Sequence, residues 1–135
     1  MEYKINLPIS AQQFVALLEK STLSERRPVE DMTCMAGMVG NSNLLVTAWQ
    51  GENLVGIARS MTDFHYACYL SDLAVDRQFQ GKGIGRKLIS VTREQLGPKC
   101  KLILVAAPSA NSYYEQLGFT ANPRCWVLER DTAIG

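Results

Sequence analysis

The chain has 135 residues, the length of one compact unit with its own core, and a second full domain is not expected. It is 47% hydrophobic and 20% charged, the balance of a folded globular protein rather than a disordered or fibrous one. Fourteen Lys and Arg against 13 Asp and Glu leave a formal charge of +1, so no global field holds nucleic acid or an anionic membrane.

The first residues, Met1 to Pro8, lack the apolar run of a signal peptide, and no later stretch approaches the roughly 18 apolar residues of a membrane span. The expected location is the cytoplasm. Ser10 is placed to cap a helix in which Phe14, Val15, Leu17 and Leu18 recur at helical spacing until about Ser21. The polar segment Ser24–Pro28 follows, and Val29, Met32, Met35, Ala36 and Val39 sketch a second helix that stops at Gly40. The methionines of that helix, Met32, Met35 and Met38, read as core.

From Asn43 the period changes. Leu44–Trp49 reads as a strand, Gln50–Asn53 as a turn and Leu54–Ser60 as the hairpin partner. A third strand, Tyr66–Val75, is apolar on both faces and is the candidate central strand. A glycine-dense loop, Asp76–Arg86, leads into a helix carrying Leu88, Ile89, Val91 and Leu96, which Gly97-Pro98 stops. Lys101–Ala106 reads as a buried strand, Pro108–Leu117 as a short helix and Cys125–Glu129 as a closing strand. The four cysteines, Cys34, Cys68, Cys100 and Cys125, form no C-x-x-C pair and have only His65 as a companion. They read as reduced and mostly buried thiols, and no metal is expected.

Gly81, Gly83 and Gly85 stand where a strand passes into a helix. Glycines let a backbone approach a ligand closely, and the N–H groups of a helix start add a positive end, a combination suited to phosphate. A P-loop is excluded because Arg86-Lys87-Leu88 follow Gly85 with no hydroxyl for magnesium. The G-x-G-x-G spacing past the middle of the chain also departs from a dinucleotide fingerprint.

Gln80-Gly81-Lys82-Gly83-Ile84-Gly85, approached through Leu73–Phe79, resembles motif A of the GNAT superfamily of N-acetyltransferases. Downstream, Ala110–Phe119, with Asn111, Tyr114 and the Gly118-Phe119 pair, resembles motif B of the same family. The resemblance implies an α/β (α+β) fold: a mixed, mostly antiparallel sheet of about six to seven strands flanked by about four helices, splayed into a V between two central strands. The chain would then be a single acetyltransferase domain over residues 1–135.

The cosubstrate implied is acetyl-CoA. Its pyrophosphate would rest on Gln80, Gly81, Lys82, Gly83, Ile84 and Gly85, and its pantetheine arm on the backbone of Leu73, Ala74 and Val75, with Asn111 as a further contact. Lys82, Arg86 and Lys87 could add charge against the phosphates. Tyr114 matches the tyrosine that protonates the departing thiolate in many members. The base departs from the family's pattern. Family members with a clear base often carry Glu or His where this chain has Ser71 and Tyr69, which leaves Asp72 as the candidate, alongside pairing with an arginine and a water relay as alternatives.

The resemblance implies acceptor choice by the connection between the first two helices, where Arg26, Arg27 and Glu30 lie, and by the edge of the hairpin, with Phe64, Tyr66 and Tyr69 as stacking surface as in arylalkylamine-type members. The Arg pair points to an acceptor with a carboxylate or phosphate beside its amine. The leading reading is acetyl transfer to a small-molecule primary amine. The alternatives are a protein lysine or N-terminal acetyltransferase and a noncatalytic acyl-CoA-binding module, and a homodimer through open sheet edges is compatible with each.

Overall fold

A computed structural model describes residues 1–135. It divides into two compact units, Met1–Val105 and Ala106–Gly135. The first contains a five-stranded sheet in the order β1 (Glu2–Ile5), β2 (Leu44–Gln50), β3 (Asn53–Thr62), β4 (Ala67–Val75), β5 (Lys101–Ile103). Neighbouring strands are antiparallel except for the parallel pair β4–β5.

Helix α1 (Ala11–Ser21) starts where its side chains close a capping box. The Ser10 hydroxyl accepts from the Gln13 N–H at 3.0 Å, and the Gln13 side chain accepts from the Ser10 N–H at 2.9 Å. Thr22, at φ 75°, turns the chain out of the helix. Helix α2 (Met32–Asn41) begins three residues later than Val29 because Asp31, not a residue before it, caps the first turn through the Cys34 N–H. Of its methionines Met35 is fully buried, whereas Met32 is exposed.

The two faces of the sheet are covered differently. Phe14, Leu17 and Leu18 of α1 and Met35 of α2 pack with Leu45, Trp49, Leu54, Ile57 and Ala74. On the opposite face, α3 (Ile84–Glu94) lies so close that a Cβ on Gly56 would meet Leu88 Cδ1 at 3.0 Å and Ile84 Cγ2 at 3.2 Å. Gly56 thus makes room for the helix that carries the glycine loop onto the sheet.

The structure also corrects the strand pattern and the cysteines. Strand β1 is additional: its four residues pair with β2 alone, and Asn6 extends the pairing by accepting from the Leu45 N–H through its side chain. The middle strand is β3, whose residues Leu54–Ser60 are all buried, rather than the 66–75 segment, which lies fourth. The strand expected over 101–106 stops at Ile103, and no strand forms over 125–129, so the sheet has five strands rather than six or seven. Strand-forming residues make a strand only where a neighbour supplies a ladder, and the apolar pattern alone does not provide one. Among the cysteines, all free, only Cys68 is buried, while Cys34 and Cys125 are exposed.

The second unit contains a 3-10 turn at Pro108–Ala110 and the helix α4 (Asn111–Gln116). No helix of the chain is long and apolar enough to cross a membrane.

Candidate active site

The two edges of β4 have different fates. Toward β3 it is paired along its length, from Thr62↔Cys68 to Gly56↔Val75. Toward β5 the ladder covers only Ala67–Tyr69 against Lys101–Ile103, so the remaining length to Val75 has no strand beside it. The opening expected between two central strands thus lies between the last two strands of the sheet, where the β4–β5 ladder ends early. The Asp76 N–H donates to the Val55 carbonyl at 2.9 Å, and peptide groups alternate along a strand, so those of Leu73 and Val75 point to the open edge. The Val75 carbonyl there accepts from the Gln80 side-chain amide at 3.0 Å, which ties the first residue of the glycine loop to the strand end.

The loop itself is held by Asp76, whose carboxylate accepts from the Gln78 N–H at 2.9 Å and caps a 3-10 turn over Arg77–Phe79. Gly81 and Gly83 then take φ of 76° and 81°, a left-handed conformation costly for any side chain with a Cβ. Gly83 is the N-cap of α3 and offers no side chain to its first N–H groups. The helix start is therefore open to an external acceptor of hydrogen bonds, with its dipole favouring an anion. Lys82, Arg86 and Lys87 are exposed around it, Lys82 with its ammonium 5.3 Å from the centre of the Phe79 ring. Leu73, Ala74, Val75, Gln80, Gly81, Lys82, Gly83, Ile84 and Gly85 thus form one continuous segment of the first unit.

Asp72 is fully buried and is held by two guanidinium groups. The Arg27 Nε donates to Oδ1 at 2.6 Å, and the Arg59 Nε donates to Oδ2. Each oxygen thus carries one ion pair, so the arginine pairing left open for Asp72 is the role with visible partners. Arg59 also reaches the Met38 carbonyl at 3.0 Å and the Ser71 hydroxyl at 3.0 Å. The Arg26–Arg27 pair consequently splits: Arg27 is committed to the strand, and Arg26 is exposed. Tyr66, one of the expected acceptor-facing aromatics, lies under Lys101, whose ammonium is 3.4 Å from the ring centre.

In the second unit Asn111 opens α4 and Tyr114 follows one turn later. The Tyr114 ring meets Tyr113 and Phe119 edge to face, at 5.3 and 5.5 Å between centroids. Its carbonyl accepts from the Phe119 N–H at 3.0 Å, so the Gly118-Phe119 pair folds back on the helix that carries the tyrosine. Gly118, at φ 99°, allows that reversal.

The residues that sequence reasoning missed as a group are Arg27, Arg59 and Asp72. Their positions, separated by 45 and 13 residues from the carboxylate they share, carry no local signature.

A strand with one open edge thus runs into a glycine loop at a bare helix start, an arrangement suited to an anionic ligand. The family model described as an acetyltransferase (GNAT) domain matches residues 10–125, and the chain belongs to that family. An uncharacterised ycf52-like N-acetyltransferase from Prochlorococcus marinus is 30% identical over 105 residues, 73% of this chain. The chain spans 57% of that relative's length. Among solved structures, a GNAT family acetyltransferase from Streptococcus pneumoniae superposes with a TM-score of 0.75 at 16% identity, covering 96% of this chain and 98% of that one. A ribosomal-protein-alanine N-acetyltransferase from Brucella melitensis gives 0.70 at 20% identity over 96% and 99%. At such identities the likeness is one of fold.

Proposed function

We propose that the chain transfers an acetyl group from acetyl-CoA to a primary amine of a small molecule, by direct attack in a ternary complex. The observation that carries this reading is the open edge of β4 at Leu73 and Val75 leading directly into the positive-φ glycines at the start of α3. Peptide groups along such an edge can pair with the amide-rich pantetheine arm as a strand would, and the helix start suits the pyrophosphate.

The Leu73 N–H, held in a strand that need not reorganise, would polarise the thioester carbonyl and stabilise the charge that develops as the amine attacks. Tyr114 would return a proton to the thiolate, because a phenol keeps its proton at neutral pH. Asn111 would hold the cosubstrate arm. With both Asp72 oxygens committed to arginines, the amine proton would leave through ordered water to solvent. The expected location is the cytoplasm, and the expected assembly is a homodimer through an open sheet edge, β1 or β5.

The test is release of free thiol from acetyl-CoA with arylalkylamines, polyamines, amino acids, aminosugars and lysine peptides, using the wild type and Tyr114→Phe. Turnover with one small-amine class, lowered at least about tenfold in kcat by the phenylalanine with acetyl-CoA affinity kept, is the expected result. Preference for a peptide would move the assignment to protein acetylation. Tight acetyl-CoA binding with no thiol release by any amine would leave a binding module.

A further inference from the structure

We infer that Arg27 is a positioning residue for acetyl transfer: through Asp72 and the carbonyl of Ser71, it fastens the α1–α2 connection to the open edge of β4 and fixes where Leu73 presents its backbone. The inference rests on the transfer reading above and adds to it the device that holds the reacting edge in place.

The ladder between β3 and β4 is irregular at one point. Arg59 faces Asp72, but the next residue, Ser60, faces Leu70, so Ser71 is the extra residue of a bulge. A bulge leaves its extra residue outside the regular ladder and bends the strand. Here two guanidinium groups hold what the ladder does not. Arg59, from the neighbouring strand, donates to Asp72 and to the Ser71 hydroxyl. Arg27, 45 residues before Asp72, donates its Nε to the Asp72 carboxylate at 2.6 Å and its Nη2 to the Ser71 carbonyl at 2.8 Å. The Ser71 carbonyl lies two residues before Leu73 on the same strand.

The two arginines are not equivalent. Arg59 is nearly buried and stacks over the Phe14 ring at 5.7 Å, so it belongs to the core. The Arg27 side chain keeps 22% of its exposure and comes from the connection that follows α1. It also donates through Nη1 to its neighbour's carbonyl, Arg26 O, at 2.8 Å. One planar fork therefore sets the turn of the connection and the course of the bulge together, which a point-charged lysine cannot reproduce. A displacement of about 1 Å in a reacting geometry costs up to about a hundredfold in rate, so loosening this fork should appear in kcat more than in cosubstrate binding at the glycine loop.

The experiment compares the full chain with Arg27→Ala and Arg27→Lys, using acetyl-CoA and the best amine of the panel, together with amide ¹H–¹⁵N spectra. Arg27→Ala is expected to lose between about tenfold and a hundredfold in kcat, with acetyl-CoA affinity little changed. Arg27→Lys should stay impaired although its charge is kept. Added methylguanidine should restore part of the turnover of the alanine variant and none of that of the lysine variant, and the Asp72 and Leu73 amide signals should move in both variants. Wild-type turnover matched by Arg27→Ala overturns the inference alone. A loss that methylguanidine does not relieve, with equal loss of acetyl-CoA affinity and a lowered Tm, also overturns it, in favour of a merely structural pair. Wild-type silence with every amine overturns the transfer reading and this inference with it.

Discussion

Two aspartates, one before β4 and one within it, are satisfied in opposite ways. Asp63, exposed in the turn before the strand, accepts the N–H groups of His65, Tyr66 and Ala67 at 3.0, 2.8 and 3.0 Å. Those bonds, Tyr66 foremost, lower its pKa from an ordinary 3.8 to about 2. Asp72, buried within the strand, accepts from guanidinium groups that chain folding brings from other elements. The first carboxylate organises residues already beside it in the chain. The second depends on three elements arriving together, and losing it strands charges that have no other acidic partner.

That contrast is broken most severely at Asp72. Asp72→Ala leaves two cations without their shared anion and is expected to destabilise the fold by about 3–5 kcal/mol, the cost of breaking a buried ion pair from one side. Urea unfolding measures it, and an unchanged midpoint would mean that the arginines find water without penalty.

The turn region offers a smaller break. The Gly97 N–H donates to the Phe64 carbonyl at 2.8 Å, and a Cβ on Gly97 would stand 3.0 Å from that same oxygen. Gly97→Ala must push the end of α3 from the turn, at an expected cost of about 1–3 kcal/mol. A thermal melt equal to that of the wild type would show that the contact yields freely.

The smallest effect sharpens the comparison through pH. Because the folded-state pKa of Asp63 lies below its unfolded value, its contribution is present above pH 3.8 and is lost as pH falls toward about 2. The advantage of the wild type over Asp63→Ala should therefore hold at neutral pH and shrink across that window. Parallel acid-unfolding curves for the two proteins would contradict the assignment.

The same division governs what could be read in advance. Helix α1 is legible because its capping box and apolar spacing lie within a dozen neighbouring residues. The glycine loop is legible for the same reason: Gly81 and Gly83 are the residues that tolerate the φ values found there. The early end of β5 was not legible, since Leu104 and Val105 are as apolar as Leu102 and Ile103 and differ only in having no ladder beside them. Nor was the role of Asp72, which an isolated strand leaves equally open to catalysis, capping or pairing.

By itself the sequence determined the family motifs, the start of α1 and the glycine loop, because each is written in short-range backbone chemistry. Tertiary structure decided which edge of β4 stays open and which arginines close on Asp72. Strand partners and buried counter-charges lie tens of residues apart, and only the folded chain selects among the many that could meet.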